Sequence, residues 1–408
     1  MMRKLLTFEE AKHAVEHNFK PAFLGEEEAV LLEAANRVLA EDVASPIDIP
    51  GFNSSKVNGY AVRAQDTAAA DEEAPVGLRV VGCVGVGETC KTQLQTGEAV
   101  EVSADAVLPE GADSVIALED ADQEDDTLKV FSPVTVGEGV YQRGCDVKAG
   151  SMVLEKGQVL GSSEIGVLAA LGLKQVKVQK IPIIAVFSVG SEINELSKPL
   201  APGKTYDLNA YSLSTAVMEC GAKPVYFGAV ANDKAAVTRV LKAALASSDL
   251  VVACGGESVV TEALEEMGKP NLVVNGVAMK PGKTFAAAFV EGKPVFCLPS
   301  NPSAALLTFQ LFARTLVQRL GGRPPSGLKT IVAFAGAKMF SAKGSRTFQL
   351  VKLEFDEQCR LIAQPVNAVG VSALVKADGF VEIAENEQFV EVDSEVAVLL
   401  FRGLAGKA

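Results

Sequence analysis

Between residues 181 and 320, apolar runs of strand length alternate with segments of helical period, and that alternation leaves few folds open. The run over 181–188 is almost unbroken in apolar residues, as a strand covered on both faces would be. A helix over 210–220, a strand over 224–230, a helix over 233–247 and a strand over 250–254 follow. A helix over 261–267, a strand over 272–279, a hairpin about Glu291-Gly292 and a helix over 302–320 complete the region. Strands separated by helices at this interval predict a parallel sheet in a three-layer α/β domain.

The flanking segments read differently. Thr7-Phe8-Glu9-Glu10 has the pattern of a capping box and predicts a helix over 7–18, with a second helix over 26–41 that ends before the two prolines of Ser45-Pro46-Ile47-Asp48-Ile49-Pro50. Over 60–143, short apolar runs are broken by Gly, Pro, Asp and Glu, with strands expected at 78–86, 99–102, 114–118 and 128–131. The acidic run 119–126 reads as a solvated hairpin tip, because like charges at that density repel. A short helix over 164–173 leads to a strand over 175–179. Gly321-Gly322-Arg323-Pro324-Pro325 is a linker, and strands at 329–335, 347–354, 361–365 and 395–401 predict a small C-terminal β domain. The expected division is 1–50 with 144–180, a β-rich insertion over 51–143, the α/β domain over 181–322, and 323–408. That agrees with the two to four units that 408 residues suggest.

Bulk properties exclude several classes. The net charge of −13 opposes binding to nucleic acid or to an anionic membrane surface, so an anionic ligand would need a local cluster of amides and a few cations. No run approaches the roughly 20 apolar residues that span a bilayer, and no apolar leader follows the N-terminus, so a soluble cytoplasmic protein is expected. The seven cysteines are odd in number, include no C-x-x-C pair and sit mostly in apolar runs, which predicts reduced, buried thiols. His13 and His17 share one helical face, but no third ligand stands near them, and with only two histidines a His-based triad is not expected.

Chemistry in such a sheet belongs to the turns beyond the strands' carboxyl ends. Phe187-Ser188-Val189-Gly190-Ser191-Glu192 gives a small-residue turn with a carboxylate, and Cys254-Gly255-Gly256-Glu257-Ser258 gives paired glycines that admit a ligand to the backbone. Lys280-Pro281-Gly282-Lys283 sets two ammonium groups about a rigid turn, and Leu298-Pro299-Ser300-Asn301-Pro302 ends at a helix start. Each also fits a plain tight turn or a helix stop. Tyr206-Asp207-Leu208-Asn209 suits a ribose or a hydrated divalent cation, and equally an ordinary helix N-cap. Four such turns in this order predict a pocket for an anionic, nucleotide-like ligand.

With Asp48-Ile49-Pro50-Gly51-Phe52, Gly59-Tyr60-Ala61-Val62, Leu108-Pro109-Glu110-Gly111-Ala112-Asp113 and Arg143-Gly144-Cys145-Asp146 upstream, these turns resemble the molybdopterin molybdotransferases, the family of bacterial MoeA and the gephyrin E domain. The resemblance runs over nearly the whole chain. It implies an elongated protomer of four parts, with an α/β molybdopterin-binding domain, an inserted β-rich domain and a C-terminal barrel-like domain. It also implies a homodimer, with molybdopterin adenylyltransferase or molybdoenzymes as further partners. The implied reaction joins molybdate to adenylylated molybdopterin and releases AMP, with Mg2+. Carried onto matching positions, Glu192, Lys280, Lys283 and the substituted Asn58 are catalytic candidates. Ser188, Gly190, Asp207, Asn209, Gly255, Gly256, Ser258, Pro299, Asn301 and Arg143 are candidates for the pterin, and Glu192, Asp207 and Asp146 for the metal.

The sequence departs from the family pattern at reactive positions. Asn58 and Ala263 stand where the family has acids, and Ala104 where it has threonine. Its Gly-Asp-Glu is Gly190-Ser191-Glu192, and its Pro-Gly-Asn-Pro is Pro299-Ser300-Asn301-Pro302. Three readings follow: a transferase with an altered site, a relative that binds the pterin as carrier, store or regulator without turnover, or a dimeric docking scaffold.

Overall fold

Six strands make the sheet on which the expected pocket depends: β1 (Ile183–Val189), β2 (Lys223–Val230), β3 (Leu250–Cys254), β4 (Asn271–Asn275), β5 (Ala286–Val290) and β6 (Lys293–Leu298). The computed structural model describes residues 5–21, 24–89, 91, 93–267, 271–367 and 370–401. The strand order is β2-β1-β3-β6-β5-β4; β2, β1, β3 and β6 are parallel, and β5 alone runs against its neighbours. The unbroken apolar character of β1 and β3 has a simple cause. Ile184, Val186, Leu250 and Val252 face one core while Ala185, Phe187, Val251 and Ala253 face the other. Helix α1 (Leu208–Glu219) covers the first face with Leu213 and Val217. Helices α2 (Lys234–Ser247) and α3 (Glu257–Glu266) cover the second with Leu241, Val260, Ala263 and Leu264. Each large side chain so buried contributes about 1.5–3 kcal/mol.

The chain gathers into two compact units, one of Met1–Ala40, Gly157–Gly161 and Gln175–Ala408, the other of Glu41–Lys156 and Ser162–Lys174. The first holds the α/β sheet and a closed barrel of β7 (Thr330–Ala335), β8 (Arg346–Phe355), β9 (Leu361–Pro365), β10 (Gly379–Ile383) and β11 (Glu395–Leu400). Closure comes from β8, which pairs with both β9 and β10. The N-terminal helix Phe8–Asn18 forms with its capping box: Glu10 N–H donates to Thr7, and Thr7 N–H donates to Glu10 at 2.8 Å. Its Phe8 packs against Phe312 and Phe348. The second unit is built on a six-stranded sheet in the order Ser114–Ala117, Gly59–Val62, Glu98–Val102, Val76–Val84, Thr127–Val130, Ala121–Glu124.

Several expectations are corrected. Residues 26–41 do not form a long helix: Glu26–Val30 is a strand paired antiparallel with Gln175–Gln179, and only Leu31–Ala34 is helical. Three successive glutamates favour helix locally, but the ladder and the Arg37 bonds to Glu27 and the Gln179 carbonyl prevail. The acidic run is part strand, with the turn itself at Asp125, whose φ of 54° lies in the left-handed region. Helix 302–320 is interrupted by a π turn, Phe309–Ala313, between helix α4 (Pro302–Thr308) and Arg314–Leu320. The strand expected over 272–279 stops at Asn275; Met279–Lys280 pairs instead with β8. Of the cysteines, Cys220, Cys254 and Cys297 are buried free thiols, but Cys83, Cys145 and Cys359 are exposed, and Cys90 lies outside the described residues. His13 and His17 stack with ring centroids 5.7 Å apart, and among the described residues no group of three His, Cys, Asp or Glu side chains could hold a metal ion.

Candidate active site

The carboxyl ends of β1, β3 and β6 lie side by side, and register brings the lysine loop to the same end. Ala286, which opens β5, pairs with Cys297 near the end of β6, so residues 276–285 turn above that edge. Lys280 and Lys283 are exposed there, and neither ammonium has a partner among the described residues. Their loop is nonetheless held. Leu6 N–H donates to the Gly276 carbonyl, Ala278 N–H donates to the Leu6 carbonyl, and a Cβ on Gly282 (φ +116°) would come within 2.8 Å of the Thr308 side chain.

Glu257, the first residue of α3, ties three turns together. It accepts hydrogen bonds from Thr284 Oγ1 at 2.9 Å and from Ser300 N–H at 3.3 Å. Asn209 Nδ2 donates to the Ser300 carbonyl at 2.7 Å, while Asn209 Oδ1 is buried without a donor, an unspent acceptor where the 207–209 and 299–301 turns meet. Buried Cys254 donates from Sγ to the Pro299 carbonyl, and burial pushes its thiol well above the ordinary range. It is therefore protonated and inert at neutral pH. Sequence reasoning passed over Glu257 and Thr284 because neither is the distinctive letter of its motif.

Asp207 is fully engaged. Oδ1 accepts from Ser188 Oγ at 2.7 Å and from Ala210 N–H at 3.1 Å, and Oδ2 accepts from the Tyr226 hydroxyl at 2.8 Å. Burial, and next the Asp207 carboxylate, raise Tyr226 above the usual phenol range, so this hydroxyl stays a donor. The N-cap alternative for Asp207 is the geometry present, and Ser188, 1% exposed, serves it. Asn301 likewise caps α4 through Ala304 N–H at 3.2 Å. Glu192 is the contrasting carboxylate. Its carboxylate is exposed, accepts no hydrogen bond among the described residues, and folds over Gly190, where a Cβ would lie 2.7 Å from its oxygen. Ser258 is exposed at the start of α3.

The paired glycines are a packing requirement first. A Cβ on Gly256 (φ +58°) would sit 2.3 Å from Val189 Cγ1, and one on Gly255 (φ +80°) 2.7 Å from the Val189 carbonyl. Gly256→Ala is expected to lower stability by about 1–3 kcal/mol, read as a lower urea midpoint; an unchanged midpoint would refute the clash.

Asn58, Arg143 and Asp146 belong to the other unit. Asn58 Oδ1 accepts from Ala104 N–H at 2.9 Å, so two of the substituted positions touch each other. Asn58→Asp keeps that acceptor, and its stability should stay within about 0.5 kcal/mol of the parent, whereas Asn58→Leu should lose about 1 kcal/mol, both read by chemical denaturation. Arg143 Nε donates to Asp48 at 2.7 Å, and Asp48 also accepts from Ala149 N–H. The Ala149 amide first, and Arg143 second, hold the Asp48 carboxyl below the usual range. Its stabilising contribution is therefore present at neutral pH and lost as pH falls through that lowered value. Asp146 is exposed, with no side-chain partner among the described residues.

Comparison with known proteins covers the whole arrangement. The family described as "MoeA N-terminal region (domain I and II)" matches residues 6–172, "Probable molybdopterin binding domain" matches 185–319, and "MoeA C-terminal region (domain IV)" matches 333–401. A molybdopterin molybdenumtransferase of Nostoc is 36% identical over 304 residues, 72% of this chain and 70% of that one. One from Haemophilus influenzae is 32% identical over 92% of this chain and 94% of its own. A crystal structure of a molybdopterin biosynthesis MoeA protein from Pyrococcus horikoshii superposes with a TM-score of 0.87 at 37% identity, covering 98% of this chain and 100% of that one.

Proposed function

The chain belongs to the molybdopterin molybdenumtransferase family of molybdenum cofactor biosynthesis, and from that premise we propose that the carboxyl-end cleft of its α/β sheet binds adenylylated molybdopterin beside molybdate and releases AMP as the two are joined. The observation that carries the assignment is the pair of exposed, unpartnered ammonium groups, Lys280 and Lys283, braced on the same strand ends as the unpartnered Glu192. In this reading the lysines hold the phosphate and oxyanion oxygens and stabilise the negative charge that gathers on them as the phosphoanhydride opens. Asn209, Ser258 and the Gly255-Gly256 turn line the pterin, positioned through Glu257, Ser300 and the capped start of α1.

Mg2+ fits only as a partly hydrated ion. Asp207 is spent on its three donors, and Glu192 remains as the carboxylate able to take a metal alongside substrate phosphates, the usual manner for this ion. When bound, it would add positive charge at the phosphoanhydride. The four-part division of the chain, a homodimer and a cytoplasmic setting complete the proposal. The comparisons favour the transferase over a carrier or a docking scaffold. The test is molybdate-dependent AMP release from adenylylated molybdopterin by the purified protein. AMP release that requires molybdate is expected; release indifferent to molybdate, or none, would refute the assignment.

A further inference from the structure

At the opposite end of the sheet, where β1 and β2 begin, lies a cavity of about 580 Å³. It is separated from the catalytic end by the length of β1, roughly 20 Å at a strand's rise per residue. Four cations line it, Arg37, Lys180, Lys223 and Arg323, against two carboxylates, Glu33 and Glu219. In a chain of net charge −13 that local excess is a departure from the surrounding field.

Both guanidinium groups are set in place. The Arg37 side chain is only 10% exposed; Nη2 donates to Glu27 and, at 2.7 Å, to the Gln179 carbonyl, whereas its Nε is buried with no partner. Arg323 donates from Nη2 to the Asn36 carbonyl and lies in a recess that exists because residue 221 is glycine: a Cβ there would be 2.1 Å from Arg323 Nε. The Lys180 and Lys223 ammonium groups have no ion-pair partner among the described residues. Between these charges the wall is apolar, with Ile181, Pro182, Met218 and Pro224.

We propose that this cavity is a second binding site, for a small organic phosphate whose phosphate is held by Arg37, Arg323, Lys180 and Lys223 and whose apolar body lies on Ile181, Met218 and Pro224. Forked guanidinium groups match phosphate oxygens, and the volume is that of a small-molecule site, far more than a bare oxyanion fills. The assignment is independent of the transfer reaction at the other end.

The chain contains no tryptophan, so Met218→Trp places a lone fluorophore at this wall, on a side chain 55% exposed in the parent. AMP and orthophosphate serve as probes, with titration calorimetry on the unmodified protein in parallel. The expected result is a saturable fluorescence change with AMP, matched by calorimetric binding. Orthophosphate should bind more weakly, and Lys180→Glu with Lys223→Glu should weaken AMP at least about ten-fold while the circular dichroism stays unchanged. A fluorophore that AMP leaves unmoved, or a fluorescence titration that survives the charge reversal, overturns the proposal. So does an absence of binding at low-millimolar concentration. Orthophosphate binding as tightly as AMP would make this a free-oxyanion site and overturn the ligand class.

Discussion

Aspartate at position 263, which the family pattern calls for, is expected to cost this chain about 3–5 kcal/mol of stability instead of repairing it. Ala263 is 0% exposed and lies in the apolar cluster of Val260, Leu264 and the α2 and β6 side chains. Among the described residues no buried cation stands there, so the carboxyl would be neutralised or left as an unpaired charge in an apolar cluster. Against a typical total of about 5–15 kcal/mol the loss is large, and it should appear in urea unfolding as a much lower midpoint with an unchanged slope. A parental midpoint would show that α3 presents position 263 to solvent or ligand. The neighbouring Val260 is also 0% exposed, so the helix and the sheet are packed for this alanine. Asn58→Asp and Ala104→Thr, at a hydrogen-bonded pair outside that core, bring back the family's residues without this penalty.

The second large effect concerns the lysine loop. Lys280→Ala and Lys283→Ala are each expected to lower AMP release by about 10²–10³-fold, the scale on which loss of a preorganised charge-stabilising group is felt. Both side chains are exposed and unpartnered, so stability should move by no more than about 0.5 kcal/mol, and an intact fold would be confirmed by the same unfolding curve. A fall chiefly in kcat assigns the lysine to the transition state; a rise in KM alone assigns it to uniform binding. Full activity in both variants would remove the loop from the mechanism.

The α/β sheet was legible because burial on both faces forces continuous apolar runs, as β1 and β3 show. The edge was less so. Met279–Lys280 continues an apolar run but leaves the α/β sheet to join the barrel, a partnership that no local pattern announces. Glu26–Val30 misleads in the opposite way, since its partner, Gln175–Gln179, lies about 150 residues on. In the site, carboxylates with the same motif-level standing diverge: Asp207 is consumed by Ser188, Ala210 and Tyr226, and Glu192 by nothing described. Tyr226 sits in the middle of β2, and its hydroxyl reaches Asp207 only through the sheet's register. Ala263 shows the limit of motif reading, because the letter that was missing from a pattern proves to be a well-filled core position.

Phe8 rests on Phe312 and Phe348, and Leu6 is bridged to Val277, so the first elements of the chain are completed by some of the last. During synthesis the Phe8–Asn18 helix must therefore wait for about 340 further residues, roughly 20–70 s at ordinary ribosomal speed, before its apolar face is covered. The unit formed by Glu41–Lys156 and Ser162–Lys174 is fully emerged long before that. The Phe8–Asn18 helix thus stays uncovered while that unit is already complete, and its apolar face needs protection in the interval.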